Sequence, residues 1–366
     1  MAVTNNFKQN VVDLVKSFTE ADKLTFQDSI VESITVDNEL EKEKTVIYGV
    51  KDGDVVPIVE RTEDYTMFPV ADETECGTSE CSMETKYTGV KWDLSLIKCK
   101  VPICLNKFDK EFLHFWNTYR KFDNNPDLDE AFLKFLGEQF KQGLENAKWR
   151  RAYFADDASS STLLDGSNGF FTQLDAASTA GKNKITIAKN SAATATGQRM
   201  TGEEVYKLLS EMYELATYHT WFNPIKFQFE VTWTMAVAYA NWLNQLGDKA
   251  PANCQCYSAE GIVKGNVYTL ENLYLNGIKI IPRRAFDGVI KQIPELNGNN
   301  VANAPMVSPN RAILINNDNM LIGSSDENQI SFFDIWHNKD EEKIYMRGGA
   351  YLGASIPKRK EFILAI

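Results

Sequence analysis

A long run of strand-like segments over residues 45–100 dominates the first third of the sequence. Two β-rich runs, TVIYGV and VVPIVE, flank a Lys-Asp-Gly-Asp turn at residues 51–54, and Asp-Gly between such runs is a hairpin signal. A small, polar and acidic stretch follows at residues 71–84, and the run YTGVKWDLSLIKCKVPICL then resumes the strand pattern. The sequence therefore predicts an extended β-hairpin. Because a projection of this length cannot bury both of its faces within its own chain, we expect it to need a neighbour.

The strongest helix pattern covers residues 128–154. Its apolar residues recur at helical spacing, namely Phe132, Leu136, Phe140, Leu144 and Ala147. Acidic residues occupy its start and basic residues its end, which suits the helix macrodipole. A helix of about 25 residues, roughly 37 Å at 1.5 Å per residue, is long for a globular protein.

The rest of the chain mixes helices and strands. Residues 156–200 are rich in Ser, Gly, Ala and Thr and are predicted as loops and short strands, and a capping box at residues 201–204 opens a second helix. Alternation over residues 225–233 predicts a half-buried strand, which leads into a helix at residues 234–246 that Gly247 ends. Further strands are predicted at residues 275–282, 311–315, 320–322, 330–336, 342–354 and 362–366. At 366 residues, and about 150 residues per domain, the sequence predicts an α+β protein of about two domains.

Nearly all of the net charge of −11 lies in the first fifth of the chain. Residues 1–75 carry 17 acidic and 7 basic side chains, and residues 1–44 are predicted to form an arm with a short amphipathic helix near residues 11–18. A protein that grips nucleic acid through its phosphates needs a dense basic face, and none is visible. An acidic arm on a nearly neutral body suggests docking onto a basic patch, including one on a sister subunit; plain solubility is the equal alternative.

The sequence contains no motif of a common hydrolase, protease or nucleotide-binding protein: GxSxG, HExxH, GxxxxGK[ST] and GxGxxG are all absent. The three histidines, His114, His219 and His337, lie far apart and lack metal-ligand spacing. We therefore predict no catalytic, cofactor-binding or metal-binding residue. No signal peptide or membrane-spanning run is visible either, so we expect a protein made and assembled in a cytosol.

Two groups of residues leave alternatives open. The first is a set of cysteines arranged as two C-x4-C pairs, which could be free thiols, a structural metal site or disulfides formed late: Cys76, Cys81, Cys99 and Cys104. The second is a set of aromatic residues for which core packing is favoured over a platform that stacks carbohydrate or bases: Trp221, Phe222, Trp233 and Trp242.

In this order of elements the chain resembles the major capsid proteins of tailed double-stranded DNA bacteriophages, which share the Hong Kong phage-type fold. The resemblance covers essentially the whole chain as an order of elements and is clearest from about residue 128 onward. The helix at 128–154 is similar to the family's spine helix, and LDGSNGFF at 164–171 to the Gly-rich turn that follows it. The segment NGIKIIP at 276–282 is similar to a Gly-apolar-apolar-Pro pattern of the axial domain.

The resemblance implies a Hong Kong phage-type major capsid fold, and it divides the chain into parts. These are an N-terminal arm at 1–44, an extended β-hairpin (E-loop) at 45–100, a peripheral domain at 101–200 and 325–366 with the spine helix at 128–154, and an axial α/β domain at 201–324.

The resemblance also implies a function. The chain would self-assemble into the hexamers and pentamers of an icosahedral shell that encloses phage double-stranded DNA without sequence-specific binding, with no enzymatic activity and no cofactor. Scaffold, portal and decoration proteins would be its partners. It would be found in the virion, assembled in the bacterial host cytoplasm, without a membrane. Two alternatives stay open: an encapsulin-like nanocompartment shell and an unrecognised α+β enzyme. Deleting residues 51–95 is expected to leave soluble monomers or capsomers that fail to close.

Overall fold

The computed structural model describes residues 43–60, 86–104, 128–254, 268–306, 310–325, 332–341 and 343–366, with separate residues at 13, 16, 19, 40, 257–258 and 261–262. Most of the predicted arm and the acidic stretch at 71–84 therefore lie outside the described residues. None of the helices within these ranges is both long enough and apolar enough to span a bilayer.

The described residues form an α+β fold. The helices are α1 (Leu128–Phe154), α2 (Phe170–Ala177), α3 (Gly202–Thr217), α4 (Trp233–Leu246) and α5 (Arg284–Gln292). The strands are β1 (Thr45–Tyr48), β2 (Val55–Glu60), β3 (Lys86–Lys91), β4 (Ser95–Cys104), β5 (Lys184–Ile185), β6 (Phe227–Thr232), β7 (Tyr257–Ser258), β8 (Gly261–Ile262), β9 (Tyr274–Leu275), β10 (Ile278–Arg283), β11 (Ala312–Asn316), β12 (Leu321–Ser324), β13 (Phe332–Asn338), β14 (Lys343–Ser355) and β15 (Phe362–Ala365).

A 13-residue strand, β14, is the centre of a five-stranded sheet. β4 pairs antiparallel along one edge of it, while β13 and β12 pair antiparallel with successive parts of the other edge, and β1 adds in parallel to β12. The long helix α1 packs its buried side chains onto this sheet, Phe140 and Leu144 among them. A Cβ at Gly348 would lie 2.4 Å from the ring of Phe140, so only glycine permits this close contact between helix and sheet.

The second sheet has six strands in the order β5-β15-β11-β6-β10-β9. Strand alternation divides its side chains between two cores. Leu314 and Ile363 pack with α3 and α4 on one face, whereas Ile313 and Leu364 pack with α1, α2 and α5 on the other. Because the core on this second face also contains side chains of the five-stranded sheet, α1 belongs to a layer that joins the two sheets.

The predicted helices at 128–154, from the capping box at 201–204, and at 234–246 are confirmed. At the capping box the hydroxyl of Thr201 accepts from the Glu204 amide, and the Glu204 carboxylate accepts from the Thr201 amide. The prediction of only loops and short strands over 156–200 was wrong, because α2 occupies Phe170–Ala177. Gly169 precedes this helix and passes against the end of α1, where a Cβ would lie 2.7 Å from the backbone of Tyr153.

The strand predicted over residues 225–233 is confirmed as β6, Phe227–Thr232, but the prediction that it is half-buried was wrong. Glu230 and Thr232, on its polar side, are completely buried, and residue 233 already belongs to α4. The reason is that β6 lies inside the six-stranded sheet, and its polar side faces α1 and the residues that precede β1 rather than solvent.

Strand pairing crosses the predicted domain division. β15, which the prediction groups with 325–366, lies in the six-stranded sheet between β5 and β11, and β12 lies in the five-stranded sheet. β1 and β4, both within the predicted hairpin at 45–100 or at its end, are also part of that five-stranded sheet. The hairpin signal at residues 51–54 was wrong, because β1 and β2, which flank this turn, do not pair with each other: β1 pairs with β12, and β2 pairs with β3. Of the strands described within residues 45–104, β2 and β3 form a separate two-stranded ribbon. The domain boundaries themselves stay a prediction.

Candidate assembly interface

β2 and β3 form an antiparallel ribbon that pairs with no other strand in the described part of the chain. The side chain of Val55, at the start of the ribbon, is 54% exposed. An isolated two-stranded ribbon is marginally stable in water, because it has no third strand or helix on which to bury a face. This ribbon therefore offers backbone and apolar surface to a partner.

The root of the ribbon is anchored on the five-stranded sheet. Gly53 donates its amide to the Trp92 carbonyl at 2.9 Å, and Trp92 donates its own amide to the Asp54 carbonyl at 2.8 Å. The Trp92 ring is buried against β12, where a Cβ at Gly323 would lie 2.8 Å from it. The root of the ribbon is thus held in place on the five-stranded sheet. Residues 61–85, between its strands, carry seven acidic side chains and one basic side chain.

α1 presents a second surface. Its buried residues face the sheets, and the opposite side is polar and exposed over the described side chains, including Lys134, Glu138 and Gln142. The described exposed positions of this polar stripe lie between residues 134 and 146 of α1.

A cluster of buried charged side chains joins the two sheets to the residues that precede β1. The side chains of Lys44 and Glu230 are fully buried, and Nζ of Lys44 lies 2.5 Å from Oε1 of Glu230. Nη2 of Arg283 lies 2.7 Å from the same oxygen, and the Tyr153 hydroxyl donates to Oε2 at 2.7 Å. Lys44 also donates to Oδ1 of Asn317 at 2.7 Å. One carboxylate therefore receives donors from α1, from β10 and from the segment before β1.

Burial by itself raises the pKa of the Glu230 carboxyl, but the cations of Arg283 and Lys44 outweigh it and hold that pKa well below its usual range. Burial lowers the pKa of Lys44, because its charged ammonium group loses contact with water. The attraction of Glu230 offsets this only in part, since Lys44 shares that carboxylate with Arg283. Burial is also the largest cause of the raised pKa of the Tyr153 hydroxyl, which lies well above its ordinary value. The hydroxyl therefore stays protonated and donates a hydrogen bond to Glu230.

This cluster anchors the residues just before β1 to the rest of the protein. The Glu43 carboxylate pairs with Arg283, and the Asn317 amide donates to the Glu43 carbonyl. Leu40, one turn earlier, is completely buried in the core that contains α1. Leu40, Glu43 and Lys44 are therefore held in place by buried contacts.

The sequence predicts no catalytic, cofactor-binding or metal-binding residue, and this stays a prediction. Among the described residues there is no group of three or more His, Cys, Asp and Glu side chains that could hold a metal ion. Cys99 is exposed on β4, whereas Cys76 and Cys81 lie outside the described residues, as does the side chain of Cys104. The choice between thiols, metal and disulfides therefore stays open. Of the histidines, His114 also lies outside the described residues.

The aromatic residues agree with the favoured interpretation of core packing. Trp221, Phe222 and Trp242 pack against the core between the six-stranded sheet and α3 and α4. Trp233 is half-buried at the start of α4, where the Arg284 guanidinium lies 5.4 Å from its ring centre.

Sequence reasoning missed the buried cluster. Glu230 occupies the polar register of its strand, and Lys44 sits in a run of alternating charges at residues 41–44, as solvated residues usually do. Nothing in the local pattern distinguishes either residue from an exposed one. A Pro-Arg-Arg sequence at 282–284 is likewise uninformative about which arginine is buried.

No protein-family model matches the sequence, and no curated protein matches it. Among solved structures, the fold is similar to that of a chain in the procapsid of satellite phage P4, which includes the size determination protein. The identity is 10%, 100% of this chain and 97% of that chain are covered, and the TM-score is 0.52. A chain of Gordonia phage Cozz has 12% identity over 92% of this chain and 85% of that one, with a TM-score of 0.48. A chain of a virus-like particle from Pyrococcus furiosus has 10% identity over 95% and 100%, with a TM-score of 0.42.

The likeness to the P4 procapsid chain spans the full length of this chain and almost all of the other. The protein therefore has a fold found in phage capsids. The resemblance to tailed-phage major capsid proteins, expected from the order of elements, is confirmed at the level of the fold.

Proposed function

We propose that this chain is a major capsid protein of the Hong Kong phage-type fold, which assembles into an icosahedral shell around a phage double-stranded DNA genome. The observation that carries the proposal is the likeness to the P4 procapsid chain over the whole length. A ribbon that finds no further strand partner within the described residues supports it, because such a ribbon requires another molecule.

In this proposal each subunit acts as a tile and has no enzymatic role. The ribbon of one copy lies over the polar stripe of α1 in the next, with residues 1–44 as the arm, 45–100 as the E-loop, 101–200 and 325–366 as the peripheral domain, and 201–324 as the axial domain. Head-to-tail contacts of this kind close into rings when the rotation between copies allows it, giving hexamers and pentamers.

The acidic balance supports a shell that confines DNA rather than neutralising it, since 50 acidic residues outnumber 39 basic ones. Scaffold, portal and decoration proteins complete the proposed particle in the virion, which would assemble in the bacterial cytoplasm. A permanent subunit interface in such a shell would bury about 2,000–5,000 Å².

Electron microscopy and mass photometry of the purified protein test this proposal. We expect five- or six-fold rings or closed shells, and shells from the native source should hold nuclease-resistant DNA. Shells that hold a protein cargo and no DNA would instead support a nanocompartment. A single-copy species that persists at high concentration, with or without enzymatic activity, would contradict any shell function.

A further inference from the structure

A groove of about 490 Å³ lies beside the start of β6. One wall is the loop between α3 and β6, with Trp221, Phe222 and Lys226, and the other is formed by Asn316 and Lys358. This groove is called here the 221/358 groove.

Aromatic rings form one side of the 221/358 groove. Trp221 stacks on Phe227 with ring centres 5.4 Å apart, and His219 stacks on Trp221 at 4.9 Å. Two large side chains of the same loop are exposed: Tyr218 by 85% and Ile225 by 94%. Both residues belong to the loop that forms this wall of the groove, and exposed apolar surface beside a groove is typical of a binding site.

The opposite side is basic. Lys358, Arg359 and Lys360 are consecutive exposed cations, and Lys226 adds a fourth from the facing loop. The charged residues that line the groove itself are Lys226, Lys358 and Glu361, and Glu361 pairs with Lys358 at 3.1 Å. Arg359 and Lys360 follow Lys358 in the chain and add positive charge beside the lining. The combination of aromatic surface and cations fits an acidic peptide that also carries apolar side chains.

The N-terminal segment enters the body next to this groove. Asn316 lines the groove, and the following residue, Asn317, binds both Glu43 and Lys44. The basic turn is fixed to the same region, because Asn319 and Lys358 exchange two hydrogen bonds of 2.8 Å. Glu43 and Lys44 therefore contact a residue directly next to one that lines the groove.

Residues 1–39 have the composition that the groove requires. They carry seven acidic and three basic side chains. Their apolar residues include Val11, Val12, Val15 and Phe18.

We propose that the 221/358 groove is the docking site for the N-terminal segment, residues 1–39, of the same chain. The acidic side chains pair with Lys226 and with the basic turn, while apolar side chains cover Trp221 and Ile225. The docked segment shields the exposed loop of the unassembled subunit. This proposal does not depend on shell formation, because it concerns a contact within one chain.

Lysine labelling followed by mass spectrometry tests the proposal on the purified, unassembled full-length protein and on a variant that begins at Leu40. We expect labelling of Lys226, Lys358 and Lys360 to rise several-fold in the shortened variant. Labelling of Lys207 and Lys291, which lie on α3 and α5, should stay unchanged. A synthetic peptide of residues 1–39 should restore protection, and the same peptide with its acidic residues replaced by Asn and Gln should not.

A second variant guards against misfolding of the shortened chain. In full-length protein with Lys226→Glu and Arg359→Glu, labelling of Lys358 and Lys360 should rise while the circular dichroism spectrum is retained. Equal labelling of all variants would overturn the proposal. Protection that is lost on dilution, on removal of residues 61–85 or after nuclease treatment would assign the groove to a second copy, to the ribbon tip or to nucleic acid, and would overturn it as well.

Discussion

At the scale of single residues, the most consequential arrangement is the carboxylate of Glu230 shared by two buried cations. Burying a charge is costly unless it is paired and hydrogen-bonded. Here the cost is offset because Lys44, Arg283 and Tyr153 all donate to the same carboxylate. Breaking such a cluster is costly, because removing the carboxylate would leave buried cations without their partner.

Replacing Glu230 by Gln should therefore destabilise the folded protein strongly. The substitution keeps the shape of the side chain but leaves Lys44 without its buried counter-ion, and we expect a loss of about 3–5 kcal/mol in the free energy of unfolding. Urea unfolding of the unassembled protein measures it. Glu203→Gln is the matched control, because Glu203 forms an exposed pair with Lys207 on α3 and its loss should be undetectable. Similar effects of the two substitutions would contradict the role of the cluster.

The pH dependence of stability gives a separate test of the same carboxylate. The pKa of Glu230 is lower in the folded protein than its ordinary value of 4.5, so its contribution is fully present above that value and is lost as the pH falls below it. The stability difference between wild type and Glu230→Gln should be constant down to about pH 5 and then shrink. Urea unfolding at a series of pH values would follow the difference. A difference that grows as the solution is acidified would show that the carboxylate is not held ionised by its neighbours.

At the scale of elements, α1 is the part on which the two sheets depend. Its buried face contributes to a core that contains side chains from both sheets. Tyr153 and Phe154 at its end contact Phe171 of α2 and Phe286 of α5, with ring centres 4.6–6.1 Å apart. A change in how α1 sits on β14 should therefore affect the whole described fold.

Two glycine substitutions, one at this contact and one on the exposed side of α1, should change the free energy of unfolding in opposite directions. Gly348→Ala puts a Cβ 2.4 Å from the Phe140 ring, and displacing that ring should cost about 1–3 kcal/mol. Gly143→Ala lies on the exposed side of α1 with no heavy atom within 4 Å, and it should stabilise the helix by about 0.5–1 kcal/mol. Thermal and urea unfolding of both variants would test the pair. Stabilisation by Gly348→Ala would mean that α1 does not pack closely on β14.

At the scale of the whole molecule, a change in the ribbon can test assembly without disturbing the fold. Its root is held by Trp92, whereas residues 61–85 contribute to none of the described strand pairings. Removing residues 51–95 would also remove Trp92, so a failure to assemble could not be distinguished from a failure to fold. A smaller deletion distinguishes them.

We expect that replacing residues 61–85 by a short Gly-Ser turn between β2 and β3 leaves the subunit folded but unable to close shells. The reason is that every described strand pair survives while the acidic tip is lost. Circular dichroism and the unfolding midpoint should match wild type, and electron microscopy should show monomers or rings only. Closed particles from this variant would contradict an essential role of the tip in assembly.

The elements that the sequence predicted well are those whose signal is local. α1 and the capping box at Thr201 depend on spacings of three or four residues. The Asp-Gly turn at 51–54 predicted a hairpin between the wrong runs, because β2 pairs with β3 rather than with β1. α2 was missed because it is only eight residues long and follows a Gly-rich turn. The candidate interface was predicted in part, since the ribbon was identified but the buried cluster and the 221/358 groove were not.

Sequence alone determined the α+β class, the long helix, the strand-like runs of the ribbon and the placement of acidic charge, because each of these depends on residues that are close together in the sequence. Tertiary structure alone decided which polar side chains are buried and which strands share a sheet. Lys44 and Glu230 are 186 residues apart, and β15 reaches β11 only after the chain has completed the other sheet. Burial of the second face of a strand depends on what packs over it, and local periodicity carries no record of so distant a partner.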